Sequence, residues 1–263
     1  MSDIITAGDR CRGVLVGLAA GDRIGGPIRM AVRLAESLVD CGSFNSSDIL
    51  NRYLSWWREG AFDTGPVSDR VFALLAAGMP VQDATAQVHR EFNRITAGCN
   101  PAHRSPPLSM LAAIADEDLA ACAITEAGLT HHDPIAGEIA AMVNKLCRAL
   151  IRGDAWDVAL RQYGGFDDQE GPGNNGGFAP DVLRAAVYFV NKSACFAEAL
   201  DQSLAFAGPA NYCPVLVGAI AGVRWGASAI PSSSLAHVDI LPRVDAAAEA
   251  LASGWADDTV LIP

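Results

Sequence analysis

THHDP, residues 130–134, sets His131, His132 and Asp133 side by side just ahead of an apolar stripe with helical spacing. A helix start presents unpaired amides and the positive end of the dipole, which favour an anion, and the histidines and carboxylate could supply a base or metal ligands. Thr130 or Asp133 could instead cap that helix. Adjacent residues leave a helix start in different directions, so one histidine at most is expected to face a site. FDTGP at 62–66 puts Asp63 just before a turn, where an Asx or helix-cap role is the plain expectation. NPAHRSPP at 100–107 joins Asn100, His103 and Arg104 in a proline-braced loop; Arg104 could grip a phosphate or carboxylate bidentately, or tie the loop to a neighbouring acid. FDDQEGPGNNGGF at 166–178 gathers Asp167, Asp168 and Glu170 among glycines, either to hold a hard cation or as a solvated acidic loop, and Phe178 could stack on a flat ring or anchor the core. GDRIGGP at 21–27 reads as a helix end with Asp22 as a buried cap.

The elements that must position these residues read as helices throughout. Alanine is abundant, β-branched alternation is scarce, and most segments repeat their apolar residues at helical spacing. Helices are expected over Ala7–Ala20, around Met30–Leu38, over Ile49–Arg58 with Ser46 and Ser47 as caps, and over Val71–Ala77, Val81–Phe92 and Leu119–Ala127. Pro134 to Ile151 predicts a long helix whose stripe is Ile135, Ile139, Met142, Val143, Leu146 and Leu150. Asp181–Val190, Phe196–Ala205, Pro214–Trp225 and Val244–Leu251 complete an all-α list. In the helix after AGPANYCP, the small residues Gly218, Ala219, Ala221 and Gly222 permit close packing. Two connectors are long, Ala97–Pro107 and Gly164–Pro180, and loops of that kind are often functional. Nothing divides the chain, so one helical domain over residues 1–263 is expected.

Composition narrows the function. At 263 residues and 51% hydrophobic the chain can bury a large core. Nineteen Lys and Arg against 30 Asp and Glu give a net charge of −11, which repels a phosphate backbone, so no nucleic acid partner is expected. No secretion signal is evident, and the apolar run Pro214–Val223 is far shorter than the ~20 residues a bilayer requires, so no membrane partner is expected either. Seven scattered cysteines without a CxxC fit reduced, buried thiols in a cytoplasmic protein.

In chain order these segments resemble the ADP-ribosylglycohydrolase family, which includes the dinitrogenase-reductase-activating glycohydrolases. GDRIG is similar to the family's opening glycine–aspartate–x–x–glycine, and MAVRLAESLVD to the helix after its first metal motif. Tyr53 and Trp56 resemble its tyrosine–x–x–tryptophan helix, and NPAHRSPPLSM its loop ending in an arginine and a proline. LTHHDPIAGEIAAMVNKLCRALIRG is similar to its threonine–histidine helix, GGFAPDVLRAAVYF to its glycine–tyrosine segment, and AGPANYCPVLVGAIAGVRWG to its last motif with the helix behind it. The resemblance runs over nearly the whole chain. It implies an orthogonal helical bundle with a central cleft and, as the usual activity, metal-assisted removal of ADP-ribose from a protein side chain. In the family, two divalent cations are held by a threonine–aspartate–aspartate–threonine motif and a glycine–aspartate–x–aspartate–threonine motif. Only Gly26, Pro27, Ile28 and Arg29 precede MAVRLAESL, so the first motif is missing; Pro209, Asn211 and Tyr212 stand in place of the second. Without those carboxylates the two-cation site is not expected to form, and neither metal nor cofactor is assigned.

By the same resemblance Asn100, Arg104, His131, Gly177 and Phe178 match positions that line the family's ligand cleft, and Asp22, Asn211 and Tyr212 are expected as further polar groups of it. The first functional reading is a metal-independent enzyme acting on a small nucleoside-, ADP-ribose- or glycosyl-like substrate by acid/base chemistry, with Asp63, His131, His132 and Asp133 as the available groups. The second is a non-catalytic relative that binds ADP-ribose, a nucleotide or a protein. A third, the least expected, is a hydrolase whose metal is held instead by Asp167, Asp168 and Glu170. Substrate identity and oligomeric state are left open.

Overall fold

The structure, a computed structural model, describes residues 5–163 and 171–255, and these are helical; the extended pairing among them is one antiparallel bridge, Gly98 to Phe178. The helices are α1 (Ala7–Gly21), α2 (Gly26–Cys41), α3 (Ser46–Arg58), α4 (Pro66–Ala76), α5 (Val81–Glu91), α6 (Asn100–Arg104), α7 (Pro107–Met110), α8 (Asp116–Ala127), α9 (Pro134–Ile151), α10 (Trp156–Tyr163), α11 (Ala179–Lys192), α12 (Phe196–Ala207), α13 (Cys213–Trp225) and α14 (Leu241–Ala252). Among the described residues no helix is long and apolar enough to cross a membrane.

The centre of the bundle is the pair α1 and α13. A Cβ built on Gly17 would lie 2.1 Å from the Gly218 carbonyl oxygen, and one built on Gly218 equally close to that of Gly17. Only hydrogen at both positions lets the two backbones approach this far, which is the close packing the small residues of 218–222 predict. Around this pair α9 buries Ile139, Val143, Leu146 and Leu150, and half-buries Ile135 and Met142, so the whole expected stripe faces inward.

Several elements depart from expectation. The stretch Ala97–Pro107, expected as one loop, contains α6 and runs directly into α7, because the polar groups of this region find partners on α9. Asn144 accepts from the Ser109 amide and donates to the Ser105 hydroxyl and the Ala140 carbonyl. Buried Arg148 donates to the carbonyls of Ser109, Leu111 and Ile114 at 2.7–2.8 Å. A segment whose backbone is satisfied this way can be buried without long helices or strands. The cap of α3 is Asn45, which accepts from the Asp48 amide at 3.1 Å, rather than Ser46 or Ser47. Helix α10 carries no stripe long enough to predict it.

Candidate functional site

The starts of α2, α4, α6 and α13 converge on a cavity of about 320 Å³. Its polar wall is made by Asp63, Asn100, His103, His131, Asn211 and Tyr212. That volume is at the low end for a small-molecule site.

At one side an amide lies between two carboxylates. Asp22 accepts from the Gly25 and Ile28 amides at 2.8 and 2.7 Å. It thereby caps α2, whose preceding residue Gly25 has no side chain to do so. Asn211 Nδ2 donates to Asp22 Oδ1 at 2.7 Å and also points at Asp63 Oδ2, 3.4 Å away, while its Oδ1 accepts from the Arg23 amide. Asp63 adopts a left-handed backbone (φ +52°) that turns the chain back onto α2. There a Cβ on Gly26 would come within 2.5 Å of the Asp63 carbonyl, so a glycine is required at the helix start. Loss of hydration against the cavity walls raises the Asp63 pKa, the charge of Asp22 raises it further, and hydrogen bonds from Asn211 and Gly26 act in the opposite sense.

At the other side a buried ion pair fixes a histidine. Arg104 Nε donates to Glu126 at 2.6 Å, Tyr53 donates to the same carboxylate oxygen at 2.9 Å, and Arg104 Nη2 donates to the Thr130 hydroxyl at 2.9 Å. The Thr130 proton is thus directed to His131 Nδ1, 2.8 Å away. The His131 proton therefore sits on Nε2, the nitrogen facing Gly98 on the cavity wall. Burial, helped by the Arg104 charge, pushes its pKa down to about 3, so the ring is neutral and acts as a donor.

His103 completes the wall. Burial pushes its pKa down to about 3 as well, opposed by a hydrogen bond to the Tyr212 backbone. Its Nε2 is buried and has no protein partner. The neighbouring Cys99 thiol is pushed up to about 12 by burial and is no thiolate nucleophile.

The ADP-ribosylglycohydrolase family model matches residues 28–259. The chain belongs to the ADP-ribosylglycohydrolase family. It is 20% identical over 274 residues to the ADP-ribosyl-[dinitrogen reductase] glycohydrolase of Rhodospirillum rubrum, covering 88% of this chain and 91% of that protein. It is also similar to a solved structure titled "ADP-ribosylglycohydrolase-related protein complex", with a TM-score of 0.77 and 26% identity over 94% of this chain and 98% of that one.

In this ADP-ribosylglycohydrolase fold Asp63, Asn100, His131, Gly177, Asn211 and Tyr212 all reach the cavity, with Asp22 directly behind Asn211. Besides Asp22, four expected site residues do not reach it. His132 is exposed and packs on the His89 ring, with centroids 5.1 Å apart, because the turn into α9 sends it opposite to His131. Asp133 caps α9 by accepting from the Ile135 amide at 3.1 Å. Arg104 is fully buried behind His131, where Nε donates to Glu126 and Nη2 to Thr130. Phe178 is 47% exposed at the start of α11, outside the cavity. Asp167, Asp168 and Glu170 lie outside the described residues. His103 received no role from the sequence, since a histidine in a proline-rich loop has no periodicity to show which way it faces.

Proposed function

We propose that this family member hydrolyses a small nucleoside-, ADP-ribose- or glycosyl-like substrate in the cavity by acid/base chemistry of its own side chains. The observation that carries the reading is Asp63: a carboxylate on the cavity wall whose pKa is raised by its surroundings and whose position is fixed by Asn211 and the Gly26 approach. A water between Asp63 and the sugar carbon gives a proton to the carboxylate as its oxygen bonds to that carbon. The bond to the leaving group breaks, the electron pair departs with the leaving group, and Asp63 returns the proton to it. His131, protonated on Nε2, donates a hydrogen bond to substrate or leaving group without titrating near neutral pH. Asn100 and Tyr212 contribute polar contacts.

The pair of divalent cations that family membership implies does not fit these residues. Both Asp22 oxygens already accept from N–H groups, Asn211 turns its amide toward the carboxylates, and Pro209 has no side-chain donor atom for a metal. Among the described residues no three His, Cys, Asp or Glu side chains gather closely enough to hold a metal. A cytoplasmic setting belongs to the same reading and is supported by the free, buried thiols of Cys11, Cys99, Cys147 and Cys213.

Incubation with nucleosides and with ADP-ribose in the presence of EDTA, followed by chromatography for released base or ribose, tests the proposal. Turnover that persists in EDTA and disappears in Asp63→Asn supports it. Binding without turnover would instead favour the non-catalytic reading, which the neutrality of both cavity histidines makes the natural second choice.

A further inference from the structure

We propose that Arg29 is a positioning residue for Asp63: its guanidinium holds the Phe62 ring against Trp56, and through that neighbour keeps Asp63 in the left-handed backbone that places its carboxylate on the cavity wall. The proposal rests on Asp63 being the acid/base group proposed above, and it adds a residue that fixes it there.

Strain is the first argument. A residue other than glycine seldom adopts φ +52°, and it keeps such a backbone only where its surroundings hold it. Both chain neighbours of Asp63 are held. On one side Asn100 Nδ2 donates to the carbonyl of buried Thr64. On the other side Phe62 is 44% exposed, so burial in the core does not fix it. Its ring instead meets Trp56 edge-on, with centroids 6.1 Å apart, and the Arg29 guanidinium carbon lies 4.9 Å from its centre. Trp56 is buried and is covered in turn by Arg33, 5.0 Å from its ring.

The fixing of Arg29 itself is the second argument. Its Nη1 donates to the Gly25 carbonyl at 3.1 Å, and its Nη2 pairs with Asp239 at 2.5 Å. A Cβ on Gly25 would lie 2.5 Å from Nη1, so the helix start leaves this space to the guanidinium. One cation thus joins the start of α2, the Phe62 ring and the segment before α14. The same helix start carries Gly26, against which the Phe62 and Asp63 carbonyls pack. The Asp63 carboxyl responds to burial, to Asp22 and to the hydrogen bonds from Asn211 and Gly26, not to the Arg29 charge. Arg29 therefore acts on Asp63 through geometry. Lysine could supply the charge, but not the broad face and forked donors that serve ring, carbonyl and carboxylate together.

A carboxyl carbon NMR titration of the full chain, with the Asp63 signal assigned by its loss in Asp63→Asn, tests the proposal without any substrate. In Arg29→Met the Asp63 pKa should fall toward the ordinary carboxylate range, by about 0.5 pH unit or more, as the side chain leaves the cavity wall and Asp22. Removal of a cation that acted by charge alone would raise it instead. Phe62→Leu should reproduce the fall, and the double variant should shift no further than either single, because both residues act in one stack. Arg29→Lys, which keeps a cation at the ring, should return part of the difference. For a substrate that the wild type hydrolyses, kcat should drop at least 10-fold in Arg29→Met and Phe62→Leu alike, with KM little changed. An unchanged or raised Asp63 pKa in Arg29→Met, or additive shifts in the double variant, would overturn the proposal. If Arg29→Met fails to fold, Phe62→Leu decides in its place, and an unshifted Asp63 there overturns the proposal equally. Absence of turnover in the wild type would remove the hydrolytic reading, while the titration still decides whether Arg29 positions Asp63.

Discussion

The side-chain amide of Asn211 donates to Asp22 at 2.7 Å, across 189 residues of sequence, and turns the same nitrogen toward Asp63. A neutral donor thereby joins two carboxylates where a cation would otherwise be the ordinary solution. Replacing it with a third carboxylate, Asn211→Asp, removes the bond and sets three like charges together. Stability should fall by about 2–4 kcal/mol. Magnesium should recover part of that loss in the variant, because the new oxygens suit a hard cation, and should leave the wild type unmoved. Thermal scans with and without magnesium check this; a wild-type shift of several degrees would contradict the amide-bridged description.

Asp63→Asn keeps the shape of the side chain and tolerates the left-handed backbone at this position. Turnover should drop by about 100-fold or more, the usual worth of a positioned acid/base group. The melting temperature should hold or rise, since the Asp63 charge sits unfavourably near Asp22. Initial rates and a thermal scan on the same preparation check both halves of the expectation.

His103 and His131 set an acid limit on stability. Each has a native pKa of about 3, against about 6.5 when unfolded. Between those values the unfolded chain binds more protons, so stability falls as pH falls. The contribution is complete above pH 6.5, and each histidine should lose about 2 kcal/mol of it by pH 5. Urea titrations across this range should show the slope, and His103→Leu should make it shallower.

Arg104 is expected to act through His131 rather than on the ligand. Glu126→Gln leaves its guanidinium buried beside a neutral amide, a loss of about 3–5 kcal/mol for a broken interior pair. Chemical denaturation measures that loss. If the variant remains as stable as the wild type, the Tyr53–Glu126–Arg104 network is not what holds this wall.

Gly17→Ala tests the central helix pair. Its methyl group would sit 2.1 Å from the Gly218 carbonyl oxygen, and backbone cannot yield as a side-chain tip can. A loss of about 3 kcal/mol or more is expected, at the upper end of overpacking effects, and a thermal scan reads it directly.

Much of this architecture was legible locally. The stripe of α9 repeats every three or four residues, Pro134 and Asp133 mark its start, and the small residues of α13 announce a close neighbour; each of these is a relation between residues within a few turns. The order of the cleft segments carried the family resemblance for the same reason. Which side chains face the cavity is a different kind of fact. His131 and His132 are adjacent and chemically identical, and only the turn into α9 sends one to the site and the other to the surface. Arg104 turned inward because Glu126 and Tyr53, far away in the chain, offer a buried partner. His103 became part of the wall because Asn144 and Arg148 hold the 105–114 segment against α9. Local spacing determined the helices and their apolar faces; long-range hydrogen bonds and charge pairing, which no short pattern encodes, decided the chemistry of the cavity.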